Sequence, residues 1–276
     1  MLSIRGITLA VFVTIAWIVG FTALYNILLD FKNQWYWIVV ATFYSVLIND
    51  IFTHIICSHN AIKIDPSRIT YKVLLFLSSV DHAWAPVTGL CKLHENHHQY
   101  ADQGNNDNLN WRLHWYNLCS VSPLTFLYVR PTAYPNLNEL VESQSQIHKH
   151  ILADSYTQFI ENNRIFLTIV YWTILYLALP VFLFNVVLMG RFLFSGYMVL
   201  AAIGGHTRLP FGYRNFNTPD TSYNNLLFHY LALGLMPSML QNNHHGGNQI
   251  SHRWFEINTA GIVIKLLRPL LVSKHA

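Results

Sequence analysis

Two long uncharged stretches open the chain and predict a helical hairpin. Residues 7–29 carry no charge, and a second apolar stretch, 35–49, is extended by 50–53 to a span of about 35–56. As a helix the first stretch would rise roughly 34 Å, enough to cross a hydrocarbon core of about 30 Å. It is too long for the apolar part of a signal peptide, and no small-residue cleavage site follows it, so we expect a retained span. The short link at 30–34 favours antiparallel helices.

The second half of the chain predicts two more spans. Residues 165–190 are uncharged and end before Arg191, and Pro180 is expected to kink them. Residues 192–206 form a fourth, shorter stretch, whereas 226–240 is too short to span and is expected at the membrane interface or buried in protein. The pattern predicts an all-α membrane protein with one domain over residues 1–276 and four spans, at about 7–29, 35–56, 165–190 and 192–206.

The few charged residues lie almost entirely on one side of these spans. Only 11% of residues are charged and 53% are apolar, whereas an average soluble domain carries about 25% charged residues. This composition excludes disorder and argues against an ordinary soluble enzyme. Four spans put the N-terminus and residues 60–163 and 207–276 on one side of the membrane. That side carries 15 of the 17 Lys and Arg residues, and only Lys32 and Arg191 lie on the other side. The positive-inside rule makes that side, with both termini, cytoplasmic.

Histidines outnumber acidic residues, 15 to 13, and several are clustered at the cytoplasmic ends of the spans. Neighbours at i, i+3 and i+4 share a helix face, and adjacent residues diverge by about 100°, so one H-x-x-H-H box could serve two metals. Residues five apart diverge by roughly 140° on a regular helix, so the first pair could serve one metal only if the helix frays, or two metals if it does not. Imidazole suits Fe, Zn, Cu and Ni alike. The candidate ligands are His54, His59, His94, His97, His98, His206, Gln241, His244 and His245.

The remaining histidines and the cysteines are expected to be structural. A histidine outside the hydrocarbon is typical of a polar interface, and seven fit that description: His82, His114, His148, His150, His229, His252 and His275. Cys57, Cys91 and Cys119 are odd in number and form no C-x-x-C pair, so we expect buried small residues rather than a Cys/His zinc site at Cys57 and Cys91.

Most other site classes lack their signatures in the sequence. The second box, His94–His98, also fits the pattern H-E-x-x-H, but its single E-x-x-H at Glu95–His98 falls short of the two that a carboxylate di-iron bundle needs. Gly-rich nucleotide loops, G-x-S-x-G and the haem-binding His-Pro-Gly-Gly signature are missing as well. The net charge of +4 needs no nucleic-acid partner, since no nucleic-acid-binding motif is present.

The histidine boxes resemble those of the membrane fatty acid desaturase family. That family has an H-x(3–4)-H box, an H-x-x-H-H box and a terminal [HQ]-x-x-H-H box. The tail is similar to the Δ9-type acyl-CoA and acyl-lipid branch, with a histidine after the fourth span and then the string Gly212–Asn225. Trp254-Phe255-Glu256-Ile257-Asn258 resembles a W-W-E-x-D motif, and Tyr100-Ala101-Asp102 after the second box is also similar. The resemblance covers about residues 30–270.

The resemblance implies a specific fold and activity. Its expectations are four transmembrane helices under a cytosolic helical cap (60–163 and 207–276), two Fe ions bound mainly by histidine, and O2-dependent introduction of a double bond into a fatty acyl chain. The iron centre would be the whole of the catalytic machinery. The expected partners are an acyl-CoA or acyl lipid, membrane lipid, and an external electron carrier of the cytochrome b5 or ferredoxin type. The expected location is the endoplasmic reticulum or a bacterial inner membrane.

Three departures from the family pattern leave alternatives open. Gln241 replaces the first histidine of the last box, Ala202 replaces an asparagine four residues before His206, and Leu90 replaces a tryptophan four residues before the second box. Ala202 cannot coordinate a metal, and Gln241 offers only a neutral carbonyl oxygen. A related hydroxylase or ketolase of a lipid, and a non-catalytic metal-binding relative, are the alternative predictions.

Overall fold

The computed structural model describes residues 36–59, 61–81, 87–103, 151, 153–206, 212–247 and 253–273. The described part is mostly helical. Its main helices are α1 (Tyr36–Val46), a π-helix (Leu47–Ser58), α2 (Ile69–Asp81), α3 (Val87–Tyr100), α4 (Ser155–Ala178), α5 (Val181–His206), α6 (Leu226–Leu231), α7 (Gln241–His245) and α8 (Thr259–Leu271).

Two short strands depart from the all-α prediction. β1 (Gly212–Tyr213) pairs antiparallel with β2 (Asn224–Asn225). A single 3-10 turn, Pro237–Met239, precedes α7.

Helix α1 and the π-helix form one continuous rod. Together they cover Tyr36–Ser58, which is long and apolar enough to cross a membrane and is 61% buried. This agrees with the predicted second span at 35–56. Among the described residues, Tyr36–Ser58 is the one helix that meets this test of length and hydropathy. The core helix of a soluble protein can meet the same test, so the four spans stay a prediction. The first predicted span, 7–29, lies outside the described residues.

The boundary predicted between the third and fourth spans is wrong. Helix α4 ends at Ala178 and α5 begins at Val181, so the chain breaks at Leu179–Pro180 and continues as helix through Arg191. Proline lacks the backbone N–H of a continuing helix, and its ring clashes with the preceding turn. A single arginine has good helix propensity and does not end a helix. The apolar stretch 165–190 is therefore divided between two helices.

The second half of the stretch 226–240 is buried in protein, one of its two predicted locations, whereas several apolar side chains of the first half are exposed. The stretch forms the short helix α6, a turn, and the 3-10 turn, and residues 234–240 are buried. Asn225 begins α6, because its side chain accepts a hydrogen bond from the Phe228 backbone N–H at 3.2 Å.

The main hydrophobic core lies between the π-helix, α2 and α8. Phe52 and Ile56 of the π-helix, Tyr71 and Leu75 of α2, and Leu271 of α8 are almost fully buried there. The Tyr71 hydroxyl also lies 2.8 Å from Thr157 Oγ1, which joins α2 to the start of α4. This core positions the C-terminal end of the π-helix, where two candidate ligands stand.

Helix α5 packs closely along α1. A Cβ added at Gly190 would lie 2.6 Å from the Ala41 carbonyl oxygen, so only glycine permits this approach. The contact carries α5 alongside the rod, and at the C-terminal end of α5 Gly205 lies against Gln241 of α7.

Candidate metal centre

Five histidine side chains converge on one point. The Nε2 atom of His94 lies 2.7–3.2 Å from the Nε2 atoms of four others, His54, His59, His98 and His244. His244 Nε2 in turn lies 3.0–3.2 Å from those of His54, His59 and His98. An ion bound through bonds of about 2.0–2.1 Å, as for zinc, separates nitrogens at right angles by about 3 Å. The arrangement therefore fits one metal ion surrounded by imidazole nitrogens, and His54, His59, His94 and His244 form a group able to hold one.

The π-helix explains how His54 and His59 reach the same point. A π-helix joins residues five apart, and here the His59 N–H donates to the His54 carbonyl at 3.2 Å. Thr53 Oγ1 likewise donates to the Ile48 carbonyl at 2.9 Å, and Ser58 Oγ to the Thr53 carbonyl at 3.0 Å. On a regular α-helix the two histidines would diverge, and the sequence spacing left either a frayed helix with one metal or a regular helix with two metals. Widening of the helix brings them onto one face instead.

Helix α3 supplies the second box from one face. His94 and His98 are one turn apart, and both point to the convergence point. His97 lies beside them, with its ring centroid 5.0 Å from that of His245. His98 is also close to His245, at 4.5 Å between centroids. His97, His98 and His245 thus form a second group next to the first, as expected of adjacent histidines diverging by about 100°.

Buried carboxylates fix the orientation of two candidate ligands. Asp50, one turn before His54, accepts a hydrogen bond from His54 Nδ1 at 2.7 Å and also contacts Ser238 Oγ at 3.3 Å. Asp220 accepts one from His245 Nδ1 at 2.8 Å. A proton held at Nδ1 leaves the lone pair at Nε2, which is the atom a metal would bind. Carboxylate–histidine pairs of this kind typically support metal ligands.

Gln241 stands at the start of α7, next to His245. Its side-chain amide nitrogen lies 2.8 Å from His245 Nε2. Because His245 Nδ1 donates to Asp220, Nε2 is the acceptor, and the Gln241 amide donates to it. Gly205 makes this position possible, since a Cβ there would lie 2.9 Å from Gln241 Cβ. Gln241 is therefore placed at the second group of histidines, beside rather than at the convergence point.

Burial keeps three of the converging imidazoles, those of His94, His98 and His244, neutral. It lowers the pKa of His94, His98 and His244 well below the usual range, and the neighbouring imidazoles lower it further, because a second positive charge would be repelled. For Asp220, burial alone would raise the pKa, but hydrogen bonds from His245 and Ser222 hold it well below its usual range. The site thus combines neutral imidazoles with an ionised supporting carboxylate, which is the protonation state that metal binding needs.

The loop between β1 and β2 holds α7 in place. The Asn242 side-chain oxygen accepts hydrogen bonds from the backbone N–H groups of Asn215 and Phe216 at 2.7 and 2.8 Å, and its amide donates to the Phe216 carbonyl at 3.0 Å. Arg214 closes the loop by donating to the carbonyls of Asp220 and Thr218. The string Gly212–Asn225 therefore acts as a brace for the helix that carries His244 and His245.

Glu256 is the centre of a second buried hydrogen-bond network. Its carboxylate accepts from the Tyr213 hydroxyl at 2.6 Å, from the Asn215 amide at 2.7 Å, from the Asn243 amide at 2.9 Å and from the Arg253 backbone N–H at 2.8 Å. Asn243 also accepts from the Asn224 amide at 2.9 Å. Both asparagines of the box are thus held by structural hydrogen bonds, so the candidate ligands that α7 presents are Gln241, His244 and His245.

A third contact joins α3 to the same brace. The Asp102 carboxylate accepts from the Thr221 backbone N–H at 2.9 Å and from its hydroxyl at 2.7 Å. Asp102 has a positive φ of 63°, which turns the chain just after α3. The segments bearing the second and third boxes are therefore fastened to each other through the loop.

The other sequence-predicted residues fall as follows. His206 ends α5, but its side chain lies outside the described part, as do the side chains of Ala202 and Leu90. Cys57 and Cys91 are buried and not in a disulfide, as expected, and Cys119 lies outside the described residues. His229 was expected at a polar interface and is instead buried. It contacts the carbonyls of Met236 and Ile257, because α6 turns it into the protein. Residues outside the described part include His82, His114, His148, His150, His252 and His275.

Sequence reasoning missed the residues that support the ligands. Asp50 and Asp220 were not singled out, although Asp50 lies one helical turn before His54, a spacing that could have indicated the contact. Nothing local to the sequence indicates Asp220, which is 25 residues from its partner His245. Glu256, Asn242 and Asn243 were noted only as parts of a motif.

The search for relatives adds no identification to this geometry. A scan against models of known protein families finds no match for the chain, and a search of curated proteins finds none either.

Proposed function

We propose that this protein is an O2-dependent desaturase that introduces a double bond into a fatty acyl chain at a histidine-ligated di-iron centre. The observation that carries the proposal is the convergence of five imidazole Nε2 atoms from the π-helix, the residue after it, α3 and α7. The spacing of the boxes, which resembles the desaturase family, favours iron and acyl chemistry over other uses of such a site.

The donor set fits a redox-active iron centre. Imidazoles, with no thiolate at the convergence point among the residues that the structure describes, are compatible with iron. Asp50 and Asp220 orient the rings from outside, as partners of ligand histidines do. The two groups of histidines would divide between two ions, with His54, His59, His94 and His244 around one. His97 and His245 would serve the other, with His98 between the groups.

The bound iron centre would supply O2 activation and removal of two hydrogens from an unactivated methylene pair. The protein would hold the ring nitrogens in place and, through burial, keep those of His94, His98 and His244 neutral. The brace formed by Gly212–Asn225 would hold α7 still, so that ligand positions do not depend on the metal. An external carrier of the cytochrome b5 or ferredoxin type would deliver the electrons.

Membrane embedding is the second part of the proposal. Tyr36–Ser58 meets the length and composition of a span, and Val40 and Phe43 expose large apolar side chains on it. Helices α4 and α5 add exposed apolar side chains, among them Phe166, Ile169, Leu177 and Val181. We propose a multi-pass protein whose site faces the cytoplasm, with an acyl-CoA or acyl lipid as substrate.

Expression in a host that lacks the relevant desaturase, followed by fatty-acid profiling, tests the activity. Loss of two hydrogens from an acyl chain is the expected product, and gain of one oxygen atom would instead identify a hydroxylase. His97→Ala and His94→Ala should abolish the product and lower iron content, whereas His148→Ala and His275→Ala should do neither. A purified protein that binds two irons yet consumes no O2 with reductant and acyl substrate would identify a non-catalytic relative.

A further inference from the structure

Helix α8 has three distinct sides. One side faces the protein: Ala260 and Leu271 are fully buried, and Val263, Ile264 and Leu267 pack against the core. Its C-terminal end is fastened, since the Leu271 carbonyl accepts from the Asp65 N–H at 2.8 Å and the Val272 carbonyl from Arg68 Nη2 at 2.7 Å.

The second side is an exposed apolar stripe. Ile262, Leu266 and Leu270, spaced four residues apart, are 59%, 69% and 52% exposed. At 100° per residue these three lie within about 80° of the helix circumference. None of them contributes to the core, although the neighbouring apolar residues of the same helix do.

The third side is basic. Lys265 and Arg268 are exposed, and they lie about 130° around the helix from the centre of the apolar stripe. Helix α8 carries no acidic residue. The exposed part of the helix is therefore divided into an apolar half and a cationic half, which is the distribution found in helices that lie in the plane of a membrane interface.

We propose that α8 binds the surface of the bilayer, with Ile262, Leu266 and Leu270 below the headgroups and Lys265 and Arg268 at anionic lipid phosphates. The charge of the helix matches an anionic lipid surface. A stripe of three side chains is small beside the roughly 800 Å² per partner of a stable protein interface, so a lipid surface is the better occupant. This inference rests on the proposed membrane embedding and is independent of the proposed chemistry.

Contacts to α5 place the start of α8 near the apolar helices. The Tyr197 hydroxyl of α5 donates to the Leu231 carbonyl at the end of α6 at 3.3 Å. The turn that follows α6 is bonded to Thr259, whose N–H donates to the Gly234 carbonyl and whose hydroxyl donates to the Leu233 carbonyl, both at 3.1 Å. Leu227, Leu231 and Leu233 in this connection are also exposed. An exposed apolar run thus links α5 to α8.

The contact would orient the metal site relative to the membrane. Helix α8 begins three residues after Glu256, whose carboxylate holds Asn243 beside His244. A bilayer bound at α8 would therefore set the height of α7 above the acyl chains.

Fluorescence quenching in lipid nanodiscs tests the proposal with the full-length protein. In a Cys119→Ser background, Leu266→Cys, Arg268→Cys and Val40→Cys are each labelled with an environment-sensitive dye, since Cys57 and Cys91 are buried. The discs contain phosphatidylcholine alone or with phosphatidylglycerol, and the quenchers are acyl-brominated lipid and aqueous iodide.

We expect lipid to quench the dye at position 266 severalfold more than the dye at 268, and iodide to show the opposite order. Anionic lipid should strengthen the protection at 266, and Lys265→Gln with Arg268→Gln should remove that gain. Equal quenching by iodide at positions 266 and 268 would overturn the proposal. Protection of the dye at position 266 from both quenchers would also overturn it, because a protein partner or a second copy would then cover the apolar stripe. Lipid quenching at position 40 without quenching at 266 would refute the α8 contact while leaving membrane embedding intact; no lipid quenching at either position would refute the embedding as well.

Discussion

Individual carboxylates decide which nitrogen of a histidine is free for a metal. His54 and His245 each donate from Nδ1 to a buried aspartate, so both present Nε2 inward. The aspartates contribute charge as well as direction, because a charge-assisted hydrogen bond is stronger than a neutral one. A change at either aspartate should therefore affect the metal without removing a ligand.

Replacing Asp220 with asparagine should weaken metal binding while the ligands remain. Asp220→Asn keeps the size of the side chain but removes the negative charge that His245 Nδ1–H faces at 2.8 Å. We expect a loss of about 10–100-fold in metal affinity, the usual effect of losing such a partner. Iron retained against increasing chelator measures it. Asp65→Asn, at a surface turn with Ser67, is the matched control, and identical chelator curves for both variants would contradict the assigned role.

Gln241 presents the clearest test of a single ligand position. Its amide now donates to His245 Nε2, so iron bound at that nitrogen would displace the amide and favour its carbonyl oxygen. If Gln241 ligates, Gln241→His should retain activity, and Gln241→Leu should lose about 10–100-fold in metal affinity or turnover. Wild-type iron content and turnover in Gln241→Leu would show that the residue only packs against Gly205 and His245.

At the scale of elements, the site depends on helices that are not regular α-helices. The π-helix aligns residues five apart, and α7 is an α-helix of only five residues. Helices this short are unstable in isolation. The brace Gly212–Asn225 and the Glu256 network therefore supply the stability that α7 lacks, through side-chain hydrogen bonds to Asn242 and Asn243.

Glu256→Gln should destabilise the candidate site by weakening the hydrogen bonds that hold α7 against the loop Gly212–Asn225. The carboxylate accepts from four donors, and an amide nitrogen in place of one oxygen would face donors rather than accept from them. Leaving a buried donor unsatisfied costs about 1–3 kcal/mol, so we expect a lower Tm together with lower iron occupancy. The isosteric exchange Gln103→Glu at an exposed position is the control. An unchanged Tm for Glu256→Gln would mean that the network does not stabilise α7.

At the scale of the molecule, the buried imidazoles make the metal-free protein sensitive to acid. The pKa of His94, His98 and His244 is lowered by burial, whereas in the unfolded chain it is about 6.5. Below that pH the unfolded chain binds protons that the folded chain does not, so stability is lost as pH falls through about 6.5 and is fully present above it. Each histidine contributes up to ~1.4 kcal/mol per pH unit.

Thermal unfolding of the metal-free protein between about pH 8 and pH 5 measures this effect. We expect a constant Tm above about pH 7 and a decreasing Tm at lower pH. His98→Gln should make this decrease of Tm with pH shallower, because one titrating group is removed. A Tm that does not change with pH, or a variant with an unchanged decline, would show that the histidines titrate alike in both states.

The arrangement across the membrane is a further prediction at this scale. The distribution of Lys and Arg, 15 to 2, predicts that both termini lie in the cytoplasm. A reporter fused after Ala276 that requires the cytoplasm should be active, and one that requires the opposite compartment should not. Activity of the second reporter alone would contradict the predicted orientation.

The sequence alone determined the helical class, a helix at about 35–56 that is long and apolar enough to cross a membrane, and the candidate ligands of three boxes. These depend on local information: apolar runs of sufficient length, and histidines at helical spacing. The break at Pro180 was also visible in the sequence, but its strength was underestimated, because proline competes with an apolar pattern that continues on both sides of it.

Only the tertiary structure decided how the ligands meet. The widening of the helix at Leu47–Ser58 brings His54 and His59 together, and spacing on a regular helix indicates the opposite. Asp220 reaches His245 across 25 residues, and Glu256 reaches Asn215 across 41, because packing of the loop against α7 and not chain proximity places them. Contacts between distant residues depend on the free energy of the whole fold, so no local pattern encodes them, whereas the helical class and the donor chemistry follow from neighbouring residues.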